Sequence, residues 1–191
     1  MHTRWALVIF TLAVLAAGCQ RPLKDSARAV DVIVEGDKPF PQDIAGRWRA
    51  DQHGWEFVFA PDGQLLSAVI GLGRVRVVPG QTTTLPTKSG NQAVFTPGRW
   101  TVHYLPDTSE LTVKIAMEHV RVEMAGDILE GTSTDVFSGP IRPADGIWQV
   151  QWTSFTRYTA HTAPNASFDL STRSEDGETL PLAFTRTADQ Q

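Results

Sequence analysis

Along most of this chain apolar side chains fall at every second position, and the runs stop at clusters of Pro, Asp, Gly and Ser. Trp55, Phe57 and Phe59 lead to Pro61-Asp62-Gly63 and then to Gln64–Ile70. Trp100, Val102 and Tyr104 lead to Pro106-Asp107-Thr108-Ser109 and then to Leu111, Val113 and Ile115. Ala125-Gly126-Asp127 precedes another run over Ile128–Phe137, and Trp148, Val150 and Trp152 open one that reaches Ala160. A period of two puts one face of each segment in a core, and the Pro-Asp-Gly type of break supplies hairpin turns. No stripe of helical period follows the first twenty residues. The chain is therefore expected to be all-β, with eight to ten strands in an antiparallel meander that forms a barrel or, alternatively, a β-sandwich.

Three details refine that pattern. Apolar residues occupy 111, 113, 115 and 117, then 120, 122 and 124, so the parity switches at Glu118-His119. A one-residue slip exchanges the faces of a strand, which predicts a bulge or tight break there. The closing hairpin is expected from Phe168 and Leu170 through Asp176-Gly177 to Leu180, Leu182 and Phe184, with Pro181 directing the last strand toward a sheet edge or a bulge. Residues 71–97 are the least regular. Arg74–Val78 reads as a strand and 79–86 and 88–91 as loop, which makes this segment the expected place for a binding surface.

The N-terminus carries a different signal. Arg4 precedes an apolar run from Trp5 to Ala17, too short to span a membrane comfortably and laid out as a secretory signal. Leu15-Ala16-Ala17-Gly18-Cys19 resembles the lipobox of bacterial lipoproteins, with Ala16 where Leu or another aliphatic residue is commoner. The resemblance implies cleavage after Gly18, acylation of Cys19, and anchoring of the chain to a membrane by lipid. It also implies an outer-membrane, periplasm-facing location, because Gln20 stands where Asp favours inner-membrane retention. Cys19 is the only cysteine, consistent with a thiol consumed by acylation rather than left free in an oxidising compartment. The expected division is a signal peptide over 1–18, a polar lipidated tether over 19–43 that could include a short strand at Val30–Val34, and a single all-β domain over 44–191. The formal charge of −4 becomes one unit more negative without Arg4, which argues against nucleic acid and against electrostatic attachment to anionic lipid.

Gly46-Arg47-Trp48, Gly98-Arg99-Trp100 and Gly146-Ile147-Trp148 repeat Gly-x-Trp at intervals of 52 and 48 residues. A Gly eases the backbone where loop becomes strand, and a Trp two residues on points into the core, so all six residues are expected to be structural. The first copy also resembles the opening element of the lipocalin and wider calycin families, in which the Trp plugs one end of a barrel. Those families add a Thr-Asp element in a later loop, for which Thr134-Asp135 is the candidate. They also pack an Arg over the Trp, with Arg142, Arg157 and Arg186 as candidates. The implied fold is a lipocalin-like barrel able to take a small apolar ligand.

Catalytic, cofactor and metal motifs do not emerge. Gly71-Leu72-Gly73 lacks the third Gly and the helix of a phosphate loop. His53, His103 and His119 have no paired ligand spacing and read as surface or sheet histidines. His119, Arg121 and Glu123 read as a solvated outer face with cross-strand ion pairs. Ser154, Ser167 and Ser171 lack a nucleophile elbow, and Asn165-Ala166-Ser167 matches a glycosylation acceptor only formally. The leading expectation is a non-enzymatic, lipid-anchored envelope protein whose β domain binds a small apolar ligand or an envelope component. The alternatives are an assembly or structural accessory and, further off, a hydrolase whose site assembles only in three dimensions.

Overall fold

The computed structural model describes residues 29–71, 74–87, 90–124, 127–161, 173–174 and 177–187. The signal segment 1–18, Cys19, the first part of the tether, and the expected Phe168 and Leu170 all lie outside the described residues. Thirteen strands make one sheet. The first seven are β1 (Val30–Val34), β2 (Gly46–Ala50), β3 (Glu56–Phe59), β4 (Leu65–Ile70), β5 (Val75–Val77), β6 (Thr83–Pro86) and β7 (Gln92–Pro97). There follow β8 (Trp100–Leu105), the long β9 (Glu110–Met124), β10 (Asp127–Arg142) and β11 (Ile147–His161), then β12 (Arg173–Ser174) and β13 (Glu178–Thr187). Three short 3-10 turns are the only helical pieces among the described residues. The all-β expectation holds, with more and longer strands than the turn spacing implied.

Two hairpins form where the turn chemistry places them. In β3–β4 the Gly63 N–H donates to Ala60 O at 3.0 Å, with Gly63 at φ +83°, and Asp62 Oδ1 accepts the Gln64 N–H at 3.1 Å. β8 and β9 pair across the Pro106–Ser109 turn. The parity switch in β9 is a bulge. Gly131 of β10 faces Val120, whereas Ser133 faces Met117, so Glu118 and His119 together oppose Thr132. The inserted residue lets Met117 and Val120 both point inward.

The hydrogen-bonded order runs β1-β8-β9-β10-β11-β13-β2-β3-β4-β5, with β6–β7 attached to β9. The domain's second strand thus pairs with its last, as barrel closure requires, but no ladder joins β5 to β1. A cleft lined by Val30, Leu65, Val78 and Gly80 runs along that gap, and Phe40 packs beside it. Phe40 lies 6.5 Å from Phe59 and 6.0 Å from Tyr104, ring centre to ring centre. A Cβ on Gly63 would stand 2.7 Å from Phe40 and 2.8 Å from Val32. The sheet curls far enough for Phe57 of β3 to meet Phe137 of β10 at 5.0 Å and Phe184 of β13 at 5.2 Å.

Within the segment expected as tether, Val30–Val34 forms the strand that the sequence allowed for and pairs in parallel with Trp100–Tyr104, and Ile44 just beyond that segment is fully buried. An alternating Val-x-Val segment has more to gain in a sheet than in water, and β1 is the one parallel member of an otherwise antiparallel sheet. Residues 83–86, expected as loop, form β6 against β7. Pro181 lies in a strand internal to the sheet, but β2 pairs with β13 only over 184–187, so Pro181 has no ladder partner on that side.

Candidate functional site

Each Gly-x-Trp copy sets a tryptophan in the core. Trp48, Trp100 and Trp148 are all fully buried, and each indole N–H donates to a backbone carbonyl: Ile44 at 2.8 Å, Ala116 at 3.0 Å and Gly139 at 3.2 Å. Their glycines differ in purpose. Gly46 and Gly146 have φ of +116° and +65°, where a side chain is strained. Gly98 has no such φ; a Cβ there would meet Cγ of Glu118 in the bulge at 2.7 Å. Of the three candidate arginines, Arg186 faces Trp48 across the β13–β2 ladder and donates to Asp43 O at 2.9 Å. It stands over the first Gly-x-Trp, where the calycin resemblance expects an arginine.

Thr134-Asp135 does not occupy a loop. Both residues lie in the middle of β10, opposite Phe155 and Ser154 of β11, so the Thr-Asp element of that resemblance is not reproduced. Asp135 instead marks one end of the inner face. On β10 the inward positions change from Phe137 to Asp135 and Ser133, and on β11 from Trp148 and Val150 to Trp152, Ser154 and Tyr158. With aromatic bulk giving way to small polar groups, a half-open cavity of about 400 Å³ remains. Trp55, Ile70 and Gly71 wall one side and Met117 and Val120, flanking the bulge, the other.

Trp152 stacks on Phe137 at 6.1 Å with the rings 4° from parallel, and His53 packs against it at 5.1 Å. Its indole N–H donates to Asp135 Oδ1 at 3.0 Å. Burial pushes the Asp135 carboxyl above the ordinary aspartate range, even though hydrogen bonds from Ser154, Trp152 and Ser133 favour its ionised form. Tyr158 is raised too, first by burial and then by the charge of Asp135. Trp55 packs edge-to-face on Trp152 at 5.9 Å; it is 3% exposed, and its Nε1 is the one buried side-chain nitrogen or oxygen without a hydrogen-bond partner among the described residues. A Cβ on Gly71 would stand 3.3 Å from that nitrogen. No family model, curated protein or solved structure matches this chain.

The remaining candidates lie elsewhere. His103 Nε2 pairs with Glu35 at 3.1 Å, and His119 Nε2 with Glu130 at 3.6 Å, both on partly exposed surface away from the cavity. Arg121 donates to Gln92 O and Glu123 accepts from Thr87 and Asn91, so this face of β9 is engaged with the β6–β7 hairpin. Among the described residues no three His, Cys, Asp or Glu side chains come together. His53, read as a surface histidine, lines the cavity, and its φ of +59° is a backbone conformation that non-glycine residues rarely take. Of the segment 71–97 only Gly71 reaches the cavity. Asp135, Trp55, Trp152 and Tyr158 escaped a reading that sought motifs. The available signal was the replacement of apolar by Ser and Asp residues at inward positions of β10 and β11.

On the outer face of β2 and β3, Glu56 is buried under arginines. It accepts from Arg76 at 2.7 Å and from Arg49 at 3.1 Å, with Arg47 at 3.7 Å. Burial alone would raise its pKa, but these hydrogen bonds and charges outweigh it and hold the carboxyl below the ordinary glutamate range. This cluster ties neighbouring strands together and lies outside the cavity.

Proposed function

We propose that this chain is a lipoprotein acylated at Cys19 and held at the outer membrane facing the periplasm, and that its β domain binds a small, largely apolar ligand in the cavity lined by Trp55, Trp152 and Asp135. The observation that carries the binding role is the cavity itself. Aromatic side chains crowd one end of the sheet, while the other keeps a space within the usual range for ligand pockets, roughly 300–1,000 Å³. Its walls are mainly apolar, and a few polar groups converge at one side, the composition that holds and orients a small molecule. Binding rather than catalysis is favoured because His103 and His119 are engaged with carboxylates outside the cavity. The lipobox at Leu15–Cys19 supports the anchor.

Purification of the chain from its native envelope, with mass analysis of bound small molecules and proteins, tests the binding role. A small molecule retained by the parent chain and lost from Trp152→Ala is the expected result. Recovery of an envelope protein alone, unaffected by that substitution, would instead favour the accessory role. Labelled fatty acid should enter the parent chain and not Cys19→Ser; equal labelling of both would remove the anchor from this reading.

A further inference from the structure

Asp135 is 5% exposed, yet it takes part in no ion pair among the described residues. Its hydrogen-bond donors are all neutral: the Trp152 indole and the hydroxyls of Ser154 and Ser133. A buried carboxylate without a cation is costly, and the usual remedies are neutralisation by a proton or by an opposite charge. Glu56 shows the second remedy within the same fold, with three arginines about one carboxyl. Among the described residues no arginine or lysine lines the Asp135 cavity; the titratable groups that share it are His53 and Tyr158. Trp152 turns its N–H edge to the carboxyl, and Trp55 and Tyr158 line the same cavity, where an exposed aromatic face would attract a cation.

From this juxtaposition of a buried carboxyl and aromatic side chains in one cavity, we infer that the ligand is a small organic cation: an ammonium group directed at Asp135, with an aromatic or alkyl body against the apolar lining of Trp55, Ile70, Met117 and Val120. This inference rests on the cavity being a binding site and adds the charge of its occupant. Asp135 would supply the counter-charge, the serines and Trp152 would hold the carboxylate in place, and the apolar walls would exclude water from the pair. An anionic ligand would meet Asp135 as a like charge, and a neutral one would leave it without compensation.

Calorimetry on the full chain in a neutral maltoside detergent, with tryptophan fluorescence alongside, tests the charge. The probes are phenethylammonium, phenethyl alcohol and 3-phenylpropionate, which share a phenyl body and differ in the head group. The ammonium should bind about tenfold or more tighter than the alcohol, and Asp135→Asn should remove that preference while keeping affinity for the alcohol. In the parent chain, ammonium affinity should weaken as pH falls from about 7 toward about 3 and Asp135 takes up a proton, with no parallel change for the alcohol. Repeated in His53→Asn, which tolerates the positive φ and removes the other titratable group that changes charge over this range, that pH series decides the matter even if Asp135→Asn fails to fold. Equal or tighter binding of the alcohol or the propionate, or ammonium affinity indifferent to pH, overturns the cation and leaves the cavity as a binding site. Failure of all three probes to bind overturns the cavity reading as well.

Discussion

The indole N–H of Trp152 reaches Oδ1 of Asp135 at 3.0 Å, diagonally across the β10–β11 ladder, where Asp135 itself faces Ser154. The bond joins the last of the stacked core aromatics to the first buried charge of the cavity. One side of Trp152 belongs to the packing that stabilises the fold, and its polar edge belongs to the site.

That arrangement gives Asp135 a stability signature. Its pKa is raised in the folded chain, so its contribution is fully present below the unfolded value and is lost as pH rises through the folded one. Asp135→Asn removes this loss. The melting temperature of the variant relative to the parent should therefore climb between about pH 3 and about pH 7. A difference that stays flat over that range would show a carboxyl that ionises as it does in water.

Glu56 should behave in the opposite sense. Its pKa is lowered, so its contribution is present above the unfolded value and disappears as pH falls through the folded one. Glu56→Gln should cost on the order of 1 kcal/mol at neutral pH, modest because the arginines are partly exposed. In urea melts the gap between variant and parent should close below about pH 4.

The three core tryptophans should be costly to truncate. Trp48→Ala, Trp100→Ala and Trp148→Ala each remove a fully buried ring and leave a backbone carbonyl without its donor. Each should lower the unfolding free energy by about 3–5 kcal/mol in denaturant titrations. An unchanged midpoint would mean that the ring is not packed in the core.

Gly139 is a backbone contact disguised as a small residue. A Cβ there would overlap the carbonyl oxygen of Gln149 on β11, and the Gly139 carbonyl also accepts the Trp148 indole. Gly139→Ala should destabilise by about 1–3 kcal/mol and raise amide exchange along β10 and β11. Gly90→Ala, with open space around its Cβ and only a φ of +88° to contend with, should cost less.

Much of the architecture was legible because it is local. Alternation and turn chemistry located the β3–β4 and β8–β9 hairpins, and the parity switch in β9 located the bulge at Glu118-His119 to the residue. β1 and β6 were less legible. β6, Thr-Thr-Leu-Pro, has too little apolar pattern to declare itself without β7, and β1 is apolar enough to read as a strand but takes a parallel partner, β8, far along the chain.

The candidate site was nearly invisible for the same reason. Trp55 and Trp152 were recognised as inward-facing residues, but nothing local says that one end of the inner face stays open. Asp135 drew notice as part of a loop element, whereas it is a mid-strand carboxyl held by Trp152 and two serines.

By itself, then, the sequence determined the β class, the turns, the bulge and the inward placement of the three Gly-x-Trp tryptophans. Each depends on backbone preference or side-chain period over a few residues. Only the tertiary structure decided that β2 closes against β13, that Phe40 packs between Phe59 and Tyr104, and that Asp135 lies buried beside Trp152 without a cation among the described residues. Those relations depend on how far the sheet curls, a sum over many strands that no short stretch of chain contains.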